Sequence, residues 1–136
     1  MTASDTAMAG NPLLTSWNTP FGLPPFETIA PEHYRSAFDT ALAEQQAQIS
    51  AIAGNPEDPT FANTIEALEK SGQTLKKVGG VFFNLAGSHT NDAIKAVERE
   101  MAPILAKHRN SIFMNEALYR RVASLYDKRE GLGLTA

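Results

Sequence analysis

PEHYRSAFDTALAEQQAQISAIAG, residues Pro31 to Gly54, is the stretch from which the fold can be read. Proline suits the first turn of a helix, where its missing N–H would have no partner, and Glu32 complements the positive end of the helix dipole. Tyr34, Phe38, Ala41, Leu42, Ile49 and Ile52 recur at steps of three and four, the period of an amphipathic helix. Gly54 followed by Asn55-Pro56 is a stop signal. The spacing predicts a helix of about 23 residues, buried along one stripe.

Toward the C-terminus the pattern repeats. A short linker holds Pro56 and Pro59, and Thr60 is a candidate N-cap. The next stripe is Phe61, Ile65, Leu68, Leu75, Val78, Phe82 and Leu85. Gly72, Gly79 and Gly80 interrupt it, each at a cost of about 1 kcal/mol relative to alanine. They predict a close helix crossing where no side chain fits, or else a kink or break at Gly79-Gly80. A third helix starts after Asn91, with Asp92 in its first turn and Ile94, Val97, Met101, Ile104, Leu105, His108 and Ile112 as its stripe; Pro103 should bend it. Asn115 caps a fourth, which carries Leu118, Val122, Leu125 and Tyr126. Lys128 and Arg129 fit its negative end, and Gly131 can terminate it. The best strand candidate, Val81-Phe82-Phe83, lies within a longer helical period. The expectation is an all-α, antiparallel bundle of about four long helices, roughly 23, 28, 23 and 15 residues in length, joined by short links.

Toward the N-terminus, residues 11–30 hold Pro12, Pro20, Pro24 and Pro25, which forbid regular structure. They also hold Leu13, Leu14, Trp17, Phe21, Leu23, Phe26 and Ile29, and an arm so apolar should lie on something, since a linker would be polar. The chain thus divides into a disordered tail at 1–10, an apolar proline-rich arm at 11–30 and a helical domain at 31–136.

Composition narrows the function classes. The 136 residues are 43% hydrophobic and carry a net charge of −3. A core is therefore affordable, and no basic surplus exists to neutralise a phosphate backbone. The absence of cysteine removes a disulfide framework, a Cys-ligated zinc and a thiol nucleophile. No signal-peptide pattern occupies the first ten residues, and no apolar run approaches the roughly 20 residues that span a bilayer. A soluble cytoplasmic protein without nucleic-acid or membrane partners is expected.

The residue types that carry chemistry are present, but not at the spacings that chemistry needs. His33, His89 and His108 do not form the His-Glu-x-x-His pair that places two imidazoles on one helix face, and they read as surface or capping residues. Ser71, Ser88, Ser111 and Ser124 lack a nucleophile elbow and a nearby base. Gly79-Gly80 has no following Lys-Ser or Lys-Thr for a phosphate loop. Glu66, Glu69, Glu98 and Glu100 fall on solvated faces, with Glu66 and Lys70 spaced as an i, i+4 pair. Phe61, Phe82, Phe83, Phe113, Tyr119 and Tyr126 lie at or beside the stripes, which makes core packing the expected role of most of them. Phe82 and Phe83 cannot face the same way, so one of them should touch the arm or a partner. No catalytic residue and no metal ligand is expected in this chain, and no substrate contact is assigned.

Five strings carry a resemblance: Asn11-Pro-Leu-Leu, Pro31-Glu-His-Tyr-Arg-Ser-Ala-Phe, Thr60-Phe-Ala-Asn-Thr-Ile-Glu-Ala-Leu-Glu, Val81-Phe-Phe-Asn-Leu-Ala-Gly-Ser-His-Thr-Asn-Asp and Arg129-Glu-Gly-Leu-Gly-Leu. In this order and at these spacings the chain resembles the N-terminal region of M3-family zinc metallopeptidases. It is most like the bacterial peptidyl-dipeptidases (dipeptidyl carboxypeptidases), with the oligopeptidase A group next. The resemblance implies a much longer, almost entirely helical molecule with a deep channel for short peptides. It implies a zinc ion held farther along the parent chain by two histidines and a glutamate, with a His-Glu-x-x-His glutamate activating water. None of those residues maps onto this sequence. The chain is then the N-terminal fragment of such an enzyme, inactive alone and without zinc. Its partners would be the rest of its own polypeptide and, in the parent, short peptides. Surfaces exposed in a fragment would favour self-association, for instance by exchange of the 11–30 arm. An oligopeptidase A-like endopeptidase is the alternative within the family. A stand-alone helical interaction module is the alternative outside it, supported by the apolar arm and the surplus of large side chains.

Overall fold

In the computed structural model, which describes residues 10–88 and 90–132, helix α1 (Pro31–Ala53) is the element against which the others pack. Its first turn is closed from within: the Ala30 N–H donates to His33 Nδ1 at 2.9 Å. Beyond Gly54 the chain crosses a short linker to Thr60. There the Asn63 N–H donates to Thr60 Oγ1 at 3.0 Å and the Thr60 N–H donates to Asn63 Oδ1 at 2.7 Å. This reciprocal cap opens a wide π-helical turn, Phe61–Glu66, which runs into the short helix α2 (Ala67–Lys70).

The long second helix expected from the sequence is broken, and not at Gly79-Gly80. Ser71 turns extended (φ −68°, ψ 149°) and Gly72 takes φ +71°, a left-handed conformation open to glycine without strain. The Gly72 N–H then finds Gln48 Oε1 of α1 at 2.9 Å. Helix α3 (Gln73–Ser88) runs without interruption through Gly79 and Gly80. Those two glycines are not at a close crossing either. A Cβ on Gly79 would meet only the Phe83 ring at 4.0 Å, and one on Gly80 would meet nothing within that distance. Close approach occurs instead at Gly72, where a Cβ would collide with the Gln45 side chain.

Helix α4 (Asp92–Phe113) is capped by Asn91, whose Oδ1 accepts from the Ile94 N–H at 2.9 Å, and it continues through the exposed Pro103. Asn115 caps α5 (Glu116–Asp127) in the same way, through the Leu118 N–H at 3.0 Å. That helix is shorter than expected because Arg129 begins a 3-10 turn to Leu132; its guanidinium donates to the Tyr126 carbonyl at 2.9 Å and stacks on the Tyr126 ring. Among the described residues there is no strand, and no helix is long and apolar enough to cross a membrane.

Contacts fix the directions. Tyr34 and Phe38 of α1 meet Phe82 edge-on, with ring centroids 5.1 and 5.4 Å apart, while Gln45 and Gln48 lie beside Gly72. Helices α1 and α3 are therefore antiparallel. Helix α4 returns alongside α1, with Arg35 on Glu100 at 2.8 Å and Gln45 on His108 at 2.7 Å. The main core gathers Leu13, Tyr34, Phe38, Val78, Phe82 and Met101. A second cluster, of Ile49, Ile52 and Leu118 with Leu68 and Ile112, closes the far end of α1.

The first half of the arm docks as expected. Leu13 is wholly buried, and buried Asn11 donates to the His33 carbonyl at 2.8 Å while accepting from the Leu13 N–H at 3.0 Å. Trp17 Nε1 donates to the Pro12 carbonyl at 2.8 Å, and Lys77 of α3 covers the indole at 4.2 Å. Of the second half, Ile29 packs against the main core, whereas Phe21, at φ +61°, is 99% exposed, and Leu23 and Phe26 are exposed too. The expected tail at 1–10 lies, apart from Gly10, outside the described residues.

The aromatic residues require a correction. Of the six helix aromatics expected largely in the core, Phe82 is buried, whereas Phe61, Phe83, Phe113, Tyr119 and Tyr126 are exposed. The reason is helical geometry: Phe83, Tyr119 and Tyr126 each follow a buried residue (Phe82, Leu118, Leu125) and point about 100° away from it.

Candidate functional site

Two apolar grooves flank α3. The first, of about 310 Å³, lies between α3 and α4 over the floor made by α1. Leu75, Gly79 and Phe83 form one wall, Leu105, His108 and Ile112 the other, and Phe38 lies at the bottom. Lys76 and Arg109 stand on its rim. Within it His108 Nε2 meets Gln45 Oε1 at 2.7 Å, and burial holds the His108 imidazole below its ordinary pKa of 6.5. The second groove, of about 420 Å³, lies on the other flank of α3 under the arm, lined by Trp17, Phe26, Lys76, Lys77, Gly80 and Val81. Burial pulls the Lys77 ammonium below its usual range, and its Nζ donates to the Thr15 carbonyl at 2.6 Å.

The histidines are not brought together. His33 is committed to the α1 cap, His108 to Gln45, and His89 lies outside the described residues. Among the described residues no three His, Asp or Glu side chains form a group that could hold a metal ion. Ser71, Ser88 and Ser111 spend their hydroxyls on the carbonyls of Leu68, Asn84 and His108. The ion pairs among the described residues are Arg35–Asp39, Arg35–Glu100 and Arg120–Glu116; Glu66 and Lys70 do not close.

Two polar centres escaped the sequence reading. Gln45 bridges two elements within the groove. Arg121, 8% exposed, donates Nη1 to the carbonyls of Asn55 at 2.9 Å and Glu57 at 3.0 Å, and Nη2 to Asn63 Oδ1 at 3.1 Å. A signal existed for both: Gln45 falls between Leu42 and Ile49, and Arg121 between Leu118 and Leu125, at helical steps that place a polar group on a buried face.

The arrangement is that of a helical scaffold with grooved, cation-rimmed surfaces, and its relatives are peptidases. No protein-family model matches the chain. It is 43% identical over 124 residues to the dipeptidyl carboxypeptidase of Escherichia coli (strain K12), a match covering 91% of this chain and 18% of that protein. It is 39% identical over 127 residues to the dipeptidyl carboxypeptidase of Salmonella typhimurium, covering 93% of this chain and 19% of that protein. Oligopeptidase A of Salmonella typhimurium is 26% identical over 117 residues, covering 86% and 17%. These relatives bear out the resemblance to the N-terminal region of M3-family peptidases. The chain spans about a fifth of the length of the relatives it matches.

Proposed function

We propose that this chain is the N-terminal helical region of a zinc-dependent peptidase that acts in the cytoplasm on short peptides and releases C-terminal dipeptides. In that parent it forms part of the wall of the substrate channel, while the zinc and the groups that activate water reside in the rest of the polypeptide. The observation that carries this reading is the 43% identity sustained over 124 residues to a dipeptidyl carboxypeptidase. The weaker likeness to oligopeptidase A supports an endopeptidase of the same family as the alternative.

The test is a comparison of the full-length parent with the 136-residue chain. The parent is expected to bind one zinc and to release dipeptides from an N-blocked peptide. The chain alone is expected to do neither. Stoichiometric zinc with dipeptide release by the chain alone would overturn the proposal, as would a natural stop codon after Ala136. The exposed Phe21, Phe113 and Tyr119 favour the second reading, a stand-alone interaction module. That stop codon would strengthen it. Self-association of the isolated chain follows from the same exposed side chains, and strictly monomeric light scattering at high concentration would refute it.

A further inference from the structure

Among the described residues, nothing packs against Gly79 and Gly80, in the middle of α3, closely enough to require glycine. Glycine weakens a helix interior relative to alanine, yet a Cβ on Gly80 would meet no atom within 4 Å and one on Gly79 only the Phe83 ring at 4.0 Å. Lys76, the glycine pair and Phe83 follow one another at helical steps, so the outer ridge of α3 dips at the glycines. Gly79 lines the groove toward α4 and Gly80 the groove under the arm, which makes the dip a saddle joining the two. A ridge without side chains is what lets a second helix backbone approach closely. Among the described residues the grooves on both sides are lined by Lys76, Lys77 and Arg109 and by no carboxylate, in a chain whose net charge is −3.

We propose that this saddle, with the grooves on either side of it, is the docking site for a helix of the parent polypeptide beyond residue 136 that carries apolar side chains flanked by Asp or Glu. The proposal rests on the reading of the chain as one region of a longer peptidase. The relatives' length supplies the occupant, since this chain spans only 18% and 19% of the two dipeptidyl carboxypeptidases. The local excess of cations supplies its charge, because complementary potentials set the register of an interface.

A Phe83→p-benzoylphenylalanine variant of the full-length parent tests it. Irradiation is expected to join Phe83's position to a peptide beyond residue 136 that contains apolar residues and at least one Asp or Glu. Adducts confined to residues 1–136, adducts between two copies, or a captured peptide without carboxylates overturn the proposal. Gly80→Leu gives an independent reading. In the 136-residue chain it should raise the Tm by about 3 °C or more, because leucine favours the helix and its Cβ would meet no described atom within 4 Å. In the parent it should lower the Tm and speed proteolysis of the N-terminal region. Stabilisation of both overturns the proposal. An adduct in a parent without peptidase activity would keep the docking site and remove the enzyme reading, and an active parent without an adduct would do the reverse.

Discussion

The side chain of Gln45 fills the space over Gly72: a Cβ on Gly72 would stand 2.3 Å from Gln45 Nε2 and 2.6 Å from its Cδ. The oxygen of the same amide meets His108 Nε2 at 2.7 Å. One glutamine on α1 thus links the break that separates α2 from α3 to the C-terminal half of α4.

Gly72→Ala should therefore destabilise the chain by about 1–3 kcal/mol. The left-handed φ alone costs about 1–2 kcal/mol for a residue with a Cβ, and the Gln45 side chain must move aside from the new Cβ. Urea denaturation of the two proteins side by side measures this. Gly80→Ala is the control, since its Cβ meets open space and should stabilise.

His108 should make stability depend on pH. Burial depresses its folded pKa below 6.5. As pH falls through 6.5 the unfolded chain takes up the proton first, so the folded state loses stability from there down through the depressed folded pKa. Denaturation midpoints at pH 7.5 and pH 5.5 should differ more for the native sequence than for His108→Asn. Equal differences would show that His108 contributes nothing.

Arg121 fixes the linker between α1 and the π-helical turn. Hydrogen bonds to charged groups contribute about 1.5–3 kcal/mol each, and truncation leaves three acceptors beside a buried face. Arg121→Met is expected to cost about 2–4 kcal/mol and to expose residues 55–60 to proteolysis. Arg121→Lys should not restore stability, because an ammonium lacks the planar fork that reaches all three acceptors.

Adjacent phenylalanines should behave differently. Phe82 is fully buried between Tyr34 and Phe38, so Phe82→Ala should cost about 3–5 kcal/mol. Phe83 is 48% exposed and touches the core through Phe82 alone among the rings, so Phe83→Ala should cost about 1 kcal/mol. Thermal melts of both variants decide it.

Local signals were legible wherever one residue's chemistry settles a local event. Thr60, Asn91 and Asn115 were readable as caps because a short side-chain oxygen meets an unpaired N–H two or three residues on. The stripes through Tyr34, Phe38, Val78, Ile94 and Met101 were readable because a helix buries every third or fourth residue. The Ser71-Gly72 break was not, because the partner that makes it favourable, Gln48, is 24 residues earlier. The grooves were not readable either, since one exists only where α1, α3 and α4 meet and the other only where the arm lies along α3.

The sequence by itself determined the helices, their caps and the kinship with peptidases, because these depend on near neighbours and on residue identity. Tertiary structure alone decided which of three glycines bends the chain, which of two adjacent phenylalanines is buried, and how Gln45 and Arg121 satisfy polar groups across elements. Those outcomes depend on which surfaces meet, and that is a property of the packed chain and not of any one segment.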